Sequence, residues 1–471
     1  MPVDTREALP ALTALLGGAL AAFVLTAPPG GRWSVSASDR ELDRYLGAQP
    51  TGVAIGVVLA VAVYLLLQHR GSRRLAWATM AVGTAVLVGG RFAVVEVAGL
   101  DGLTALHYVK TAAAGAILGA AVAAAWGRRV GQLTLTLGVT AVFLAAPAFG
   151  SAAVSYSTSV IGEPSWWLLA AAGATAVACA VLGNEGSRVQ RAGAHELRVA
   201  LTSAVAVAVA NRLLLAWIGQ QSVDASRYTA WVAMAASVTV VLVTTEVCAR
   251  MADGPDGRFL LGATAIAAAA TPVLADLRMP RLGTADVGVA PWVAVAVAAA
   301  SVAVGLRVSM RWRLPLAGLA LAAVVPLLAA LWPDLGDSGA PLLVRLALVG
   351  AGAGLALGAT APGAAALAAT GLGIPFVSTV FYAVATVPTT RTVFSGSYQP
   401  LTGVETGRAP EISALLDSEL LSVPHHDDRI AGVVLLIAVA FCAFGIRSLG
   451  RPRTAPAPGT PDGGDSPGGP D

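Results

Sequence analysis

The feature that most limits what this chain can fold into is its repetition of long apolar runs. Stretches of about 20 mainly apolar residues, the length a helix needs to cross roughly 30 Å of hydrocarbon, lie near 9–28, 51–68, 76–98, 107–127, 132–150, 165–184, 198–219, 229–248, 259–275, 288–306, 314–333, 341–361, 372–388 and 430–449. In lipid each backbone N–H and C=O must be satisfied within its own segment or a closed barrel, so runs of this length are expected to be helices. Fourteen of them in 471 residues leave no space for a large water-soluble domain. Only 12% of the residues are charged, against roughly 25% in soluble domains, and the mean hydropathy is +0.73. The expected fold class is therefore an all-α polytopic membrane protein with about 14 transmembrane helices. The first run has no strongly basic leader and feeds into further runs, so it is expected to be a retained helix rather than a signal peptide.

The connections set an expected orientation. "HRGSRR" (69–74), "GRR" (127–129), "EGSRVQRAGAHELR" (185–198), "ARMADGPDGR" (249–258), "RVSMRWR" (307–313) and "RSLGRPR" (447–453) carry arginine at every second connection, while the alternate loops are acidic or balanced. The positive-inside rule then places both termini in the cytoplasm of a multi-pass protein of a cell membrane, of the bacterial inner-membrane kind. Residues 389–428 are expected to form a long outer loop holding a short amphipathic helix. The Pro/Gly/Asp-rich tail 451–471 is expected to be disordered.

Several function classes are excluded or disfavoured. A net charge of +3 with scattered arginines does not make a nucleic-acid surface. Cys179, Cys248 and Cys442 lie in or at the ends of apolar runs without a CxxC, so neither a disulfide framework nor a zinc site is expected. "HHDD" at 425–428 has metal-binding side chains, but four adjacent residues on one extended stretch do not converge on one ion, and no metal or cofactor is expected. "GAGAGLALG" (350–358) has neither a strand before it nor Lys-Ser/Thr after it, so it reads as a helix-packing face rather than a phosphate loop. No pair of acids at a helix end suggests an enzyme.

The order of motifs resembles the major facilitator superfamily, in particular its fourteen-helix drug/proton antiporter branch. That family has a Gly/Arg signature between its second and third helices, where "LLLQHRGSRRLAWATMAVG" supplies Gly71, Arg73 and Arg74. A worn second copy falls in "GLRVSMRWRLPLAG", with Arg307, Arg311 and Arg313. "FLAAPAFGSAAV" followed by "EPSWWLLAAAG" is similar to the antiporter motif, through Pro147 and Gly150. Where the family's loop signature has an aspartate, this chain has Gln68 and His69. The first helix keeps only Thr26, Ala27 and Pro28 of its pattern. His107 or Lys110 stands where the family's fourth helix begins with a cation. The resemblance implies a major-facilitator-type two-bundle fold: an N-terminal six-span bundle over 1–184, a central two-helix hairpin with its loops over 185–258, and a C-terminal six-span bundle over 259–450. It further implies alternating access, export of a small amphipathic drug or metabolite, and proton coupling.

Charges inside the apolar runs are the candidate site residues, because an ionisable side chain in a bilayer is costly. Arg91, Glu96, His107 and Lys110, the last being the single lysine, are candidates for substrate binding or coupling. A Glu96–Lys110 bridge is the structural reading of the same residues, and Arg91 has no acid one turn away on its own helix. Two cations against one acid suit an anionic or lipid-like substrate. Arg212 is expected to meet a lipid headgroup or another span, Glu246 to pair with Arg250 at i+4, and Asp276, Asp334 and Arg345 to mark outer helix ends. Expected partners are a small-molecule substrate and membrane lipids, with a protein partner if the chain is instead a facilitator-fold scaffold of an envelope-assembly complex that no longer transports.

Overall fold

The computed structural model describes residues 5–26, 39–96, 99–152, 163–182, 188–224, 227–252, 254–278, 289–332, 339–385 and 428–450. The expected loop and amphipathic helix of 389–428, with the histidines of "HHDD", and the tail 451–471 lie outside these residues, except that Asp428 opens the last helix.

The helices are α1 (Thr5–Thr26), α2 (Asp39–Arg70), α3 (Arg73–Glu96), α4 (Leu100–Ala125), α5 (Arg129–Ala145), α6 (Pro147–Ala152), α7 (Trp166–Leu182), α8 (Ala194–Asp224), α9 (Arg227–Met251), α10 (Gly254–Arg278), α11 (Pro291–Ser309), α12 (Pro315–Leu331), α13 (Gly339–Ala359), α14 (Ala365–Val377), α15 (Thr379–Ala385) and α16 (Asp428–Ser448). Each apolar run of the sequence coincides with one helix or, for α5–α6 and α14–α15, with a broken pair. Among the described residues twelve spans are long and apolar enough to cross a membrane, and α7 and α12 are shorter apolar helices of 17 residues. The protein is an all-α polytopic membrane protein. Trp166, Trp167, Trp292, Trp312 and Trp332 sit exposed at or next to helix ends, where indoles favour the membrane interface.

The helix packing repeats. In the first half α1 packs on α4, α5 and α7, α4 also holds α2 and α3, and α3 meets α7. In the second half α10 packs on α13, α14 and α16, α13 also holds α11 and α12, and α12 meets α16. Substituting one set for the other, position by position, reproduces these six contacts, while α10 also packs on α12 without a matching α1–α3 contact. The repeat extends to local detail, since the fifth member of each half is broken near its end, at Ala146 before Pro147 and at Ser378, three residues after Pro375; at Pro147 the missing proline N–H removes one helical bond. The halves meet reciprocally: second helix α2 lies on fifth helix α14, and fifth helix α5 lies on second helix α11.

Small residues set the spacing inside each half. A methyl group at Gly115 or Gly119 of α4 would collide with the carbonyls of Gly56 and Ala60 on α2, and one at Gly354 of α13 with that of Val302 on α11. Without a hydrophobic drive between helices in lipid, such close backbone approach supplies the packing attraction. The glycines of 350–358 are thus a helix-packing face, as their sequence context indicates. The α8–α9 hairpin does not stand apart: α8 packs on α2 and α14, and α9 on α10 and α16.

Candidate functional site

Two ends of the bundle can be distinguished by their side chains. At the arginine-bearing end the α2–α3 and α4–α5 turns, the segment before α8 and the α13–α14 turn converge. Gly71 takes a left-handed φ of +69° that closes the α2–α3 turn, and its carbonyl accepts from the Val189 N–H at 3.0 Å. Arg73 donates to the Trp126 carbonyl at 3.3 Å, while Arg74 is engaged as well. Gln68, standing where the resembled family has an aspartate near this turn, accepts from the Ala192 N–H at 3.1 Å, and Tyr64 donates to the Gln190 carbonyl at 2.8 Å. The segment 188–193 is thereby tied to the first half.

The same end joins the two halves. The Trp126 indole N–H donates to the Pro362 carbonyl at 3.1 Å, and the Gln190 amide donates to the Gly363 carbonyl at 2.9 Å. The Gly363 N–H in turn donates to Asp256 at the start of α10, at 2.8 Å. At the opposite end of the seam Arg278 of α10 donates to the Thr26 carbonyl at 3.1 Å and lies over the Tyr382 ring at 4.6 Å. Between these ends the seam is apolar. A residual cavity of about 10 Å³ is lined mainly by Val139, Phe143, Ile266, Leu357 and Leu372, with Thr140 as the polar side chain. Phe143 and Phe376 meet edge to face across it, 5.5 Å between ring centres.

The charged candidates gather elsewhere, at the end opposite the arginines and inside the first half. Arg91 of α3 pairs through Nε with Glu163 at 3.2 Å, donates from a terminal amino group to the Pro164 carbonyl, and lies over Trp166 at 4.3 Å from the ring centre. Lys110 of α4 lies 3.9 Å from the other Glu163 oxygen. That is too long for a hydrogen bond, and both Lys110 Nζ and Glu163 Oε1 lack one among the described residues. The Lys110 stem packs on Gly90. Burial pushes the Glu163 carboxyl above the usual range, opposed by the neighbouring Lys110 and Arg91. His107, one turn before Lys110, is buried against Gly52 of α2 and sits 3.1 Å from the Gln49 carbonyl. Glu96 ends α3, and its side chain lies outside the described residues. Among the described residues the acid beside Lys110 is Glu163, a residue that sequence reasoning passed over as part of the "EPSWW" motif, and the expected Glu96–Lys110 bridge falls outside the described residues. Its signal was an acid directly before a proline and an apolar helix.

The other charges also found partners. Arg212 donates to Thr51 on α2 at 2.6 Å, a second span rather than a headgroup. Arg250 pairs with Glu246 at 2.9 Å as i,i+4 spacing requires. Arg345 is a correction: read from sequence as a boundary charge, it is 4% exposed inside the second half and pairs with Asp276 at 2.9 Å. An arginine placed seven residues into a helix whose first residues are small does not reach the interface, so it is satisfied by an acid on the neighbouring helix instead. Asp334 lies outside the described residues.

No protein-family model matches the chain, and no curated protein sequence matches it. Among solved structures it is similar to a POT family transporter, PepTSo, at 12% identity and a TM-score of 0.46 over 95% of this chain and 99% of that one. An auto-inhibited POT family peptide transporter gives 14% identity and a TM-score of 0.43 over 94% and 95%. At that level of likeness the functional reading has to come from the geometry of the chain itself.

Proposed function

We propose that the protein is a membrane transporter that works by alternating access, exporting a small amphipathic molecule across a cell membrane, with the arginine-bearing end and both termini in the cytoplasm. The observation that carries this reading is the repeated helix packing with its reciprocal α2/α14 and α5/α11 seam. Two similar halves meeting along two equivalent helix pairs are built to rock about a site at the seam. Residues 1–184 and 259–450 are the proposed rocking bodies, and 185–258 the hairpin between them. The two bonds that join the halves at the cytoplasmic end run from side chains to backbone carbonyls, so they exchange for water when the end opens. The apolar lining of the seam suits a substrate whose larger part is apolar. Glu163 is the acid proposed for proton coupling alongside Glu96, since its carboxyl is held above the usual range at a position flanked by two cations.

The test is flux of candidate amphiphiles in proteoliposomes under an imposed pH gradient, comparing wild type with Glu163→Gln, Glu96→Gln and Lys110→Ala. Gradient-driven movement in wild type that is lost in Glu163→Gln is the expected result. A folded protein that moves no candidate in either direction defeats the transporter reading. A second reading has its own support. The seam cavity of about 10 Å³ holds no substrate in this state, and a facilitator-type scaffold for a protein partner would keep it sealed permanently. Disulfide trapping separates the two: cysteines at Gln190 and Gly363 that cross-link completely with or without substrate favour the scaffold.

A further inference from the structure

We propose that the Arg91 corner, at the seam between α3 and α7, binds the anionic headgroup of an outer-leaflet amphiphile through its phosphate or carboxylate. The inference rests on the transporter reading for its purpose and on the proposed orientation for its leaflet. Binding itself is independent of transport.

The donors are already aimed. A guanidinium carries five N–H groups in one plane. Glu163 takes Nε and the Pro164 carbonyl takes one terminal amino group, while the other terminal amino group has no partner among the described residues. Trp166 covers one face of the group. These contacts fix the guanidinium in place with its side chain 26% exposed, between the lipid-exposed Phe92 at 63% and Trp167 at 86%. Behind it Lys110 is 4% exposed, and its ammonium has no hydrogen-bond partner among the described residues.

Charge points the same way. Among the described side chains of this corner two cations share one carboxylate, and a cation held out of water without compensation is costly. An anionic oxygen entering between α3 and α7 meets the open edge of Arg91, and a guanidinium edge matches the paired oxygens of a phosphate or carboxylate. The indoles of Trp166 and Trp167 set the depth, since such rings sit at headgroup level. The seam between the halves, by contrast, offers Thr140 as its polar side chain at the cavity. No charged side chain lines that cavity among the described residues, so the polar and apolar parts of an amphiphile are read at two different places.

The experiment measures lipid binding to the full-length protein in detergent micelles by native mass spectrometry. The probes are dioleoylphosphatidylglycerol, dioleoylphosphatidylcholine and inorganic phosphate. Wild type is expected to prefer phosphatidylglycerol by about tenfold, the worth of one charge-assisted hydrogen bond. Arg91→Gln is expected to erase the preference, Lys110→Met to reduce it, and Arg91→Lys to keep part of it. Should Arg91→Gln fail to fold, Arg91→Lys and Trp166→Leu carry the comparison. Equal binding of both lipids, or a preference untouched by every variant, overturns the proposal. Arg91-dependent binding of inorganic phosphate without a lipid preference overturns the amphiphile and leaves a free anion. Lipid preference without flux keeps this site and removes the transporter reading. Flux without lipid preference does the reverse.

Discussion

The fourth helix of each half carries one buried cation near the same end of the bundle, and the two cations are treated differently. Arg345 of α13 meets Asp276 at 2.9 Å. Lys110 of α4 stands 3.9 Å from a carboxylate already engaged by Arg91 and makes no hydrogen bond among the described residues. An arginine's planar fork is met by one well-placed carboxylate, whereas the Lys110 ammonium shares its carboxylate with a second cation. The pair in the second half is a close contact within that half. In the proposal above, the looser triad in the first half is the one open to an anion.

Four substitutions break or sharpen that contrast. The largest effect is expected for Asp276→Asn, which leaves Arg345 buried without its acid, at a cost of about 3 kcal/mol read as a lowered midpoint of thermal unfolding in detergent. Glu163→Gln should cost less, about 1–2 kcal/mol, because Arg91 is partly exposed and keeps the Pro164 carbonyl and the Trp166 face. If the two variants lose equal stability, the contrast between a structural pair and an available triad is wrong. Trp126→Phe removes one cross-half hydrogen bond at the arginine-bearing end and is expected to cost about 1 kcal/mol while speeding cross-linker access at that end. Smallest of all, Lys110→Met should change stability by less than about 1 kcal/mol in either direction, since replacing a poorly paired buried charge by an apolar side chain of similar length is often neutral. A large loss there would show that the lysine is itself structural.

How much of this was legible in the sequence depends on how local the cause is. Every membrane helix was readable, because burial in lipid forces a long apolar run whatever its neighbours. The i,i+4 pair of Glu246 and Arg250 needed only helical spacing. The site was legible in part: Arg91, His107 and Lys110 stood out as charges or rings in apolar runs, yet which acid would join them depended on how α3, α4 and α7 pack, and no periodicity carries that. Glu163 was hidden because it lies before a helix, where an acid costs little and attracts no notice. Arg345 was misjudged for the complementary reason, since a short distance from the helix start does not reveal how far the neighbouring helices rise around it. Gln190 and Trp126 act through backbone carbonyls more than 170 residues away, and a carbonyl is present at every position of any chain.

The bond from Trp126 to Pro362 also has a consequence in time. Its two ends are 236 residues apart, and at roughly 5–20 residues per second a ribosome takes roughly 10–50 seconds to deliver the second after the first. Until Pro362 and Gly363 arrive, the indole of Trp126 and the amide of Gln190 lack these two acceptors, and the first half is held by its glycine-spaced contacts. Truncation after residue 193 should then leave an inserted and compact half that a protease fails to degrade quickly, waiting for a second half that supplies its last acceptors.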